Sequence, residues 1–223
     1  MLNSKLLQLL MTGILETLYM TLGSTALAYL LGLPLGVILY VTSAGGIRPN
    51  RTVNSVLGFI VNFLRSVPFI VLLIAIIPFT RAIVGTTIGS TATIVPLVVA
   101  AAPFVARMVE SSLQEVNRGV IEAAESMGSD TLQIILKVLI PEAKPSLVTG
   151  SAIAVTTILG YSAMAGFVGG GDLGAIAINY GYHRYQEDVM FITVILLVII
   201  VQIFQETGMR ISLSSDKRIS QKR

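Results

Sequence analysis

The sequence reads as an all-α integral membrane protein: five transmembrane helices, with a cytoplasmic helical segment between the third and the fourth. Three observations carry that reading. Of the 223 residues, 54% are hydrophobic and only 12% charged, about half the charge of an ordinary soluble domain, and the mean hydropathy is +0.83. Apolar runs long enough to cross a ~30 Å hydrocarbon core recur five times. Lys and Arg gather in alternate connections between those runs. The same composition excludes a disordered chain, a nucleic-acid module and an ordinary soluble enzyme. There is no cysteine and one histidine, His183, so neither a thiolate nor a His-rich metal centre can be built. The net charge of +3 calls for no anionic partner, because membrane proteins collect basic residues on their cytoplasmic loops.

The first span is expected at 17–42, inside a stretch without charge that runs from 17 to 47. The second, 56–77, contains Arg65. The third covers 88–106, the fourth 147–168 and the fifth 189–205, the last being the shortest and the richest in Val, Ile and Leu. A cleaved signal peptide fits the start poorly, since Lys5 alone is a thin basic region and the apolar run behind it is too long. With the N-terminus outside, the outer connections hold Lys5, Arg81 and Arg184. The inner ones hold Arg48, Arg51, Arg107, Arg118, Lys137, Lys144, Arg210, Lys217, Arg218, Lys222 and Arg223. The excess of positive charge inside sets the orientation: N-terminus out, C-terminus in.

The spans are not plain anchors. Gly23, Gly32, Pro34 and Gly36 lie in the first, Pro68 in the second, Pro96 and Pro103 in the third, and Gly150, Gly160 and Gly166 in the fourth. Proline frees a backbone carbonyl, which a membrane tolerates only where neighbours or water satisfy it. Small residues let helices approach closely. Arg65 sits about nine residues into its span, where an unpaired Arg costs ~2.5–3.5 kcal/mol. It is expected to find a structural partner near the inner surface.

The cytoplasmic segment, 107–146, holds Glu110, Glu115, Glu122, Glu125, Asp130 and Glu142, half of the chain's twelve acids. Val120, Ala124 and Met127 fall on one helical face, with Glu122 and Glu125 on another. Gly128 is suited to a left-handed stop. Asp130 and Gln133 stand at capping-box spacing, at the head of a helix with Leu132, Ile135, Leu136 and Leu139 that Pro141 is expected to halt. Pro145 suits the first turn of the fourth span. A short Ala-rich helix edged with acid can sit deep in a groove with basic walls.

Glu122-Ala123-Ala124, three residues, Gly128, nine residues, then Val138-Leu139-Ile140-Pro141 resembles the EAA loop of ABC-importer permeases. Val138 and Ile140 are conservative departures from its I-x-L-P ending. The runs 65–70, 101–110 and 160–166, and the Gly169-Gly170-Gly171-Asp172-Leu173-Gly174 and Tyr180-Gly181-Tyr182 stretches, are similar to the permeases of methionine ABC importers. The likeness extends from about residue 15 to 211.

The resemblance implies one permease domain over 1–223 in a bacterial inner (cytoplasmic) membrane, multi-pass and surrounded by lipid. It implies a second copy of the chain, two ATP-hydrolysing subunits and an extracytoplasmic methionine-binding protein. The cargo would be L-methionine, with D-methionine as a further substrate. Glu122, Ala123, Ala124, Gly128 and Pro141 would couple the permease to the ATPase. ATP and its Mg²⁺ belong to that subunit, and this chain would carry no catalytic residue, metal or cofactor. Tyr161, Ser162 and Met164, on the Gly/Ala/Ser-rich fourth span, are candidates for the translocation path, with core packing as the alternative.

Gly169, Gly171 and Gly174 also spell G-x-G-x-x-G, but that fingerprint needs a strand before it and a soluble βαβ unit around it. After a membrane span, a flexible outer turn is the expectation. No G-x-x-x-x-G-K-[ST] occurs in the chain, so it holds no P-loop of its own. Within the same class, a permease for another small amino acid or solute stays open. An ion-coupled carrier should place acids inside its spans, whereas Glu16 and Glu206 are expected at span edges. A membrane scaffold without transport is the third reading; it would purify without an ATPase.

Overall fold

Helices account for nearly all of residues 4–215, which are the ones the computed structural model describes. Lys217, Arg218, Lys222 and Arg223, counted above in the charge asymmetry, lie outside them. Helix α1 is Ser4–Thr42, α2 Arg51–Ser66, α3 Phe69–Ala75, α4 Ile77–Val84 and α5 Ser90–Gln114. Then come α6 (Arg118–Ser126), α7 (Thr131–Ile134), α8 (Ile140–Glu142), α9 (Lys144–Ala165), α10 (Leu173–Ile176) and α11 (Glu187–Ser215). A π-helical stretch, Ile135–Leu139, joins α7 to α8, and another, Ala177–Tyr182, follows α10.

Helices α1, α5, α9 and α11 are each long and apolar enough to cross a membrane. The expected second span is not one helix. It is the pair α2 and α3, bent by 101° at Val67–Pro68. Pro68 has no N–H to continue α2 and pushes the residue before it out of the α region. Its own φ of −57° and ψ of 135° are extended. Its carbonyl then accepts the N–H groups of Val71 and Leu72, both at 3.0 Å, which starts α3. Arg65, near the end of α2, is exposed, and the expected partner is not found among the described residues.

Other boundaries shift as well. Helix α1 begins at Ser4 rather than 17, and α5 runs on through Gln114 instead of stopping near 106. Arg107 is carried inside α5 because Glu110, one turn on, takes its charge at 2.6 Å. The same guanidinium donates to the Gly58 carbonyl at 3.3 Å. Pro34, Pro96 and Pro103 all sit inside unbroken helices.

Contacts divide the chain into two compact units. The first comprises the residues up to 28, 67–101 and 154–205; the second comprises 29–66, 102–153 and the residues from 206 onward. In the first, Leu10, Leu159, Leu173, Ile176, Val189 and Ile200 form the core. Gly174 packs so tightly that a Cβ there would lie 2.5 Å from the Ala163 carbonyl oxygen. The expected flexible turn is therefore a packed one: Asp172, Leu173, Gly174, Ala175 and Ile176 are all buried.

In the second unit, Leu39, Val61 and Ala106 meet. Gly32 and Gly36, spaced as G-x-x-x-G, bring α1 against α5. A Cβ at either would lie 2.7 Å from the Ala102 carbonyl oxygen or 2.5 Å from that of Ala106, the close backbone approach that small residues allow. Apolar side chains that a soluble protein would cover stand outside. Phe191, Ile195, Val198 and Ile203 on α11 are each more than half exposed, as a lipid-facing helix requires.

Gly36→Val should lower the thermal unfolding midpoint sharply, because added carbons meet backbone that cannot give way; overpacking of this kind costs ~1–3 kcal/mol or more. Gly160→Ala should be neutral or stabilising by about 0.5–1 kcal/mol, as nothing lies within 4 Å of a Cβ there. Unfolding of the two variants in detergent, monitored side by side, checks the contrast.

Candidate functional site

Helix α6 is built to stand alone. Asn117 caps its start by accepting the Gly119 N–H at 2.8 Å. Its end is a full Schellman stop. Gly128, at φ +80°, donates to the Glu125 carbonyl at 2.9 Å, and Ser129 reaches back to the Ala124 carbonyl at 3.1 Å. Two residues later Asp130 opens α7 with both halves of a capping box in place: Gln133 N–H to Asp130 Oδ1 at 2.7 Å, and Asp130 N–H to Gln133 Oε1 at 3.3 Å.

The face that α6 buries is Ile121 and Ala124. Val120 and Met127, expected on the same face as Ala124, are instead exposed, Met127 by 79%. Met127 is the cap residue of the helix, past the last turn that the packing reaches. Glu122, Ala123, Glu125 and Ser126 are exposed with it. So Ala124 holds the helix to its own unit, while Glu122, Ala123, Glu125 and Met127 form an outer face with two carboxylates and a bare thioether.

Pro141 does not halt the helix that α7 begins. The π-helical stretch Ile135–Leu139 carries the chain on to Glu142. Wider i→i+5 bonding re-registers the backbone ahead of a residue that lacks an N–H. Pro145 lies in the first turn of α9, as expected. Close by, the second unit has a polar hollow of about 330 Å³, lined by Ser112, Glu115, Glu142, Ser146, Thr149 and Ser212 among others. Hydroxyls tie its walls: Thr149 to Ser212 at 2.7 Å, and Ser212 to the Pro145 carbonyl at 2.9 Å.

The three path candidates fall in different surroundings. Tyr161 stacks on Phe69, with ring centroids 4.8 Å apart and planes 10° from parallel. Met164 is 49% exposed. Ser162 is fully buried and donates to the Leu159 carbonyl at 2.9 Å. Phe69 was missed in the sequence; its place right after Pro68 is the signal that could have found it.

The exposed face of α6 thus stands beside long membrane spans, with the helix capped at its start and stopped at its end. The family described as the binding-protein-dependent transport system inner membrane component matches residues 32–211. The chain belongs to that family. It is 54% identical to the probable D-methionine transport system permease protein MetI of Vibrio cholerae, over 90% of this chain and 89% of that one. It is 51% identical to the D-methionine transport system permease protein MetI of Escherichia coli K12, over 74% and 76%. Among solved structures, a chain of the MetNI methionine ABC transporter in an inward-facing conformation superposes with a TM-score of 0.95 at 49% identity, covering 97% of this chain and all of that one. A chain of an amino acid ABC transporter crystallised with histidines, 22% identical, shares the fold with a TM-score of 0.72 over 96% and 95%. As a permease of this family the chain is a multi-pass inner-membrane helical bundle that catalyses nothing itself; ATP hydrolysis resides on a partner subunit.

The left-handed stop sets a measurable penalty. Nothing lies within 4 Å of a Cβ on Gly128, so Gly128→Ala should cost only the conformational strain of about 1–2 kcal/mol. Asp130→Ala should lose about 1 kcal/mol with the capping box. Hydrogen exchange of the α6–α7 amides should rise in both variants and leave α9 unchanged.

Proposed function

We propose that this chain is the translocation subunit of an ATP-driven importer of methionine. Two copies enclose the path, two ATPase subunits bind from the cytoplasm, and an extracytoplasmic binding protein delivers the amino acid. The substrate class rests on relatives of 43–54% identity, described as D-methionine permeases. Residues 1–223 act as one permease domain, with 107–146 as its cytoplasmic segment. The observation that carries the mechanism is the outer face of α6. Glu122 and Ala123 enter a groove of the ATPase, Ala124 fixes the helix to the permease, Gly128 ends it, and Pro141 closes the motif before α9. ATP binding draws the two ATPases together, and with them the two α6 helices, so that the path opens outward; hydrolysis returns it inward. Met164 and the Phe69–Tyr161 stack line that path. Ser162, buried in this conformation, reaches it only when the first unit rearranges.

Glu122→Lys reverses a charge on an exposed face and touches no span, so the variant should insert normally. It should lower co-purification of the ATPase and reduce binding-protein-stimulated ATP hydrolysis by about tenfold, the equivalent of ~1.4 kcal/mol. Wild-type coupling in this variant would remove α6 from the docking interface.

The orientation we propose is N-terminus out and C-terminus in. Because the chain has no cysteine, single cysteines at Ser4 and Ser220 report it directly. An impermeant thiol reagent applied to intact cells stripped of their outer membrane should modify the first and spare the second. Equal modification of both would refute the odd number of crossings.

A further inference from the structure

Three elements of the first unit converge on two carboxylates that methionine transport leaves without a role. Helix α1 brings Glu16, expected at a span edge but lying well inside the helix. The Ser90 hydroxyl, at the first residue of α5, donates to its Oε2. The turn before α10 brings Asp172, which is fully buried. Its Oδ1 caps α10 by accepting the Ala175 N–H at 3.0 Å. Its Oδ2 is buried with no hydrogen-bond partner. Gly171 makes the convergence possible, since a Cβ there would lie 2.5 Å from Glu16 Oε2 and 2.9 Å from Ser90 Oγ.

A buried carboxylate oxygen without a donor is costly, and a second carboxylate nearby makes ionisation of both costlier. A proton on Asp172 removes both penalties, and it turns the orphaned oxygen into a donor. Glu16 already accepts the hydroxyl of Ser90, the first residue of α5. We propose that Glu16 and Asp172 form a proton-binding site in which a neutral Asp172 is held against the Glu16 carboxylate, clasping the α10 turn to α1 and to the start of α5.

The electrostatics agree. Burial above all lifts Asp172 from its usual 3.8 to about 6; the Ala175 N–H and the Ser162 hydroxyl act the other way, and the Glu16 charge adds to the rise. Helix α9 faces it with the Ser162 hydroxyl, the Ser90 hydroxyl of α5 goes to Glu16, and α10 carries no ionisable side chain. None of Lys5, Arg81, His183, Arg184, Glu187 or Asp188, the other ionisable groups on neighbouring stretches of this unit, is among the influences on it. Because the folded chain binds this proton more tightly than the unfolded one, the stabilisation is full below the ordinary carboxylate value. It is lost as pH rises through about 6.

Infrared titration of the full chain in lipid vesicles tests the site through the C=O stretch of a protonated carboxyl group. The wild type should keep one such band after surface carboxylates have ionised, and lose it with a midpoint near 6. Asp172→Asn, which retains the cap to Ala175, should abolish the band and flatten the fall in thermal stability across that interval. Glu16→Gln should keep the band but lower its midpoint by about half a unit or more, the like charge being gone. The proposal is overturned if the wild type shows no such band, if the band survives Asp172→Asn, or if Glu16→Gln leaves the midpoint unmoved or raises it. Loss of the band on replacing choline by sodium at constant pH and ionic strength would also overturn it, making the pair a cation site instead.

Discussion

A backbone amide or carbonyl in hydrocarbon must find its partner inside the chain, and each failure there costs several kcal/mol. Long helices meet that demand without help. Wherever this chain leaves a helix, side chains or neighbouring carbonyls take over. At Pro68 one carbonyl serves two N–H groups. At the head of α10 the Thr17 hydroxyl of α1 accepts the Leu173 N–H at 3.0 Å, and Asp172 accepts that of Ala175. Thr17 and Asp172 are both fully buried, which only such service makes tolerable.

That same demand explains the glycines. Polar service over a short distance requires backbones to come close, and a side chain at Gly171 or Gly174 would keep the α10 turn away from α1 or α9. In the second unit the constraint is shape rather than hydrogen bonding. Gly32 and Gly36 seat α1 on the carbonyl side of α5, and Pro34 between them stays within an unbroken helix. Hydrophobic transfer contributes little to such contacts in lipid, so close packing supplies the specificity.

Much of the fold was legible because membrane physics writes long signals. Hydropathy marked the four long spanning helices and the stretch that holds the bent α2–α3 pair, and local chemistry marked the Gly128 stop and the Asp130–Gln133 box, since caps act within four residues of themselves. What escaped depended on partners distant in sequence. Hydropathy runs without interruption through Val67–Pro68, and only the proline hints at a right-angled break. Arg107 looked like the end of a span because its neutralisation by Glu110 is a matter of rotamers rather than composition. Met127 followed the helical period onto the wrong face, since the period does not say where packing ends. Three glycines before Asp172 suggested a loose turn, when Gly171 is there to leave room for the side chains of Glu16 and Ser90. At the candidate site, Glu122 and Glu125 were legible as a face apart from Ala124; the Phe69–Tyr161 stack, formed across nearly a hundred positions, was not.

The joint between α6 and α7 has a mechanical meaning. Schellman bonds on one side and a reciprocal capping box on the other leave Ser129 and its neighbours few torsions to relax. A load applied along α6 would therefore not be dissipated at the corner; it would arrive at Ile135–Leu139, where the winding changes from α to π. The segment behaves as a stiff elbow in series with a short spring. Under the docking role proposed for α6, compliance placed beyond the corner would set the stroke that reaches α9, and a tighter winding there would make the same motion at α6 produce a longer displacement in the membrane.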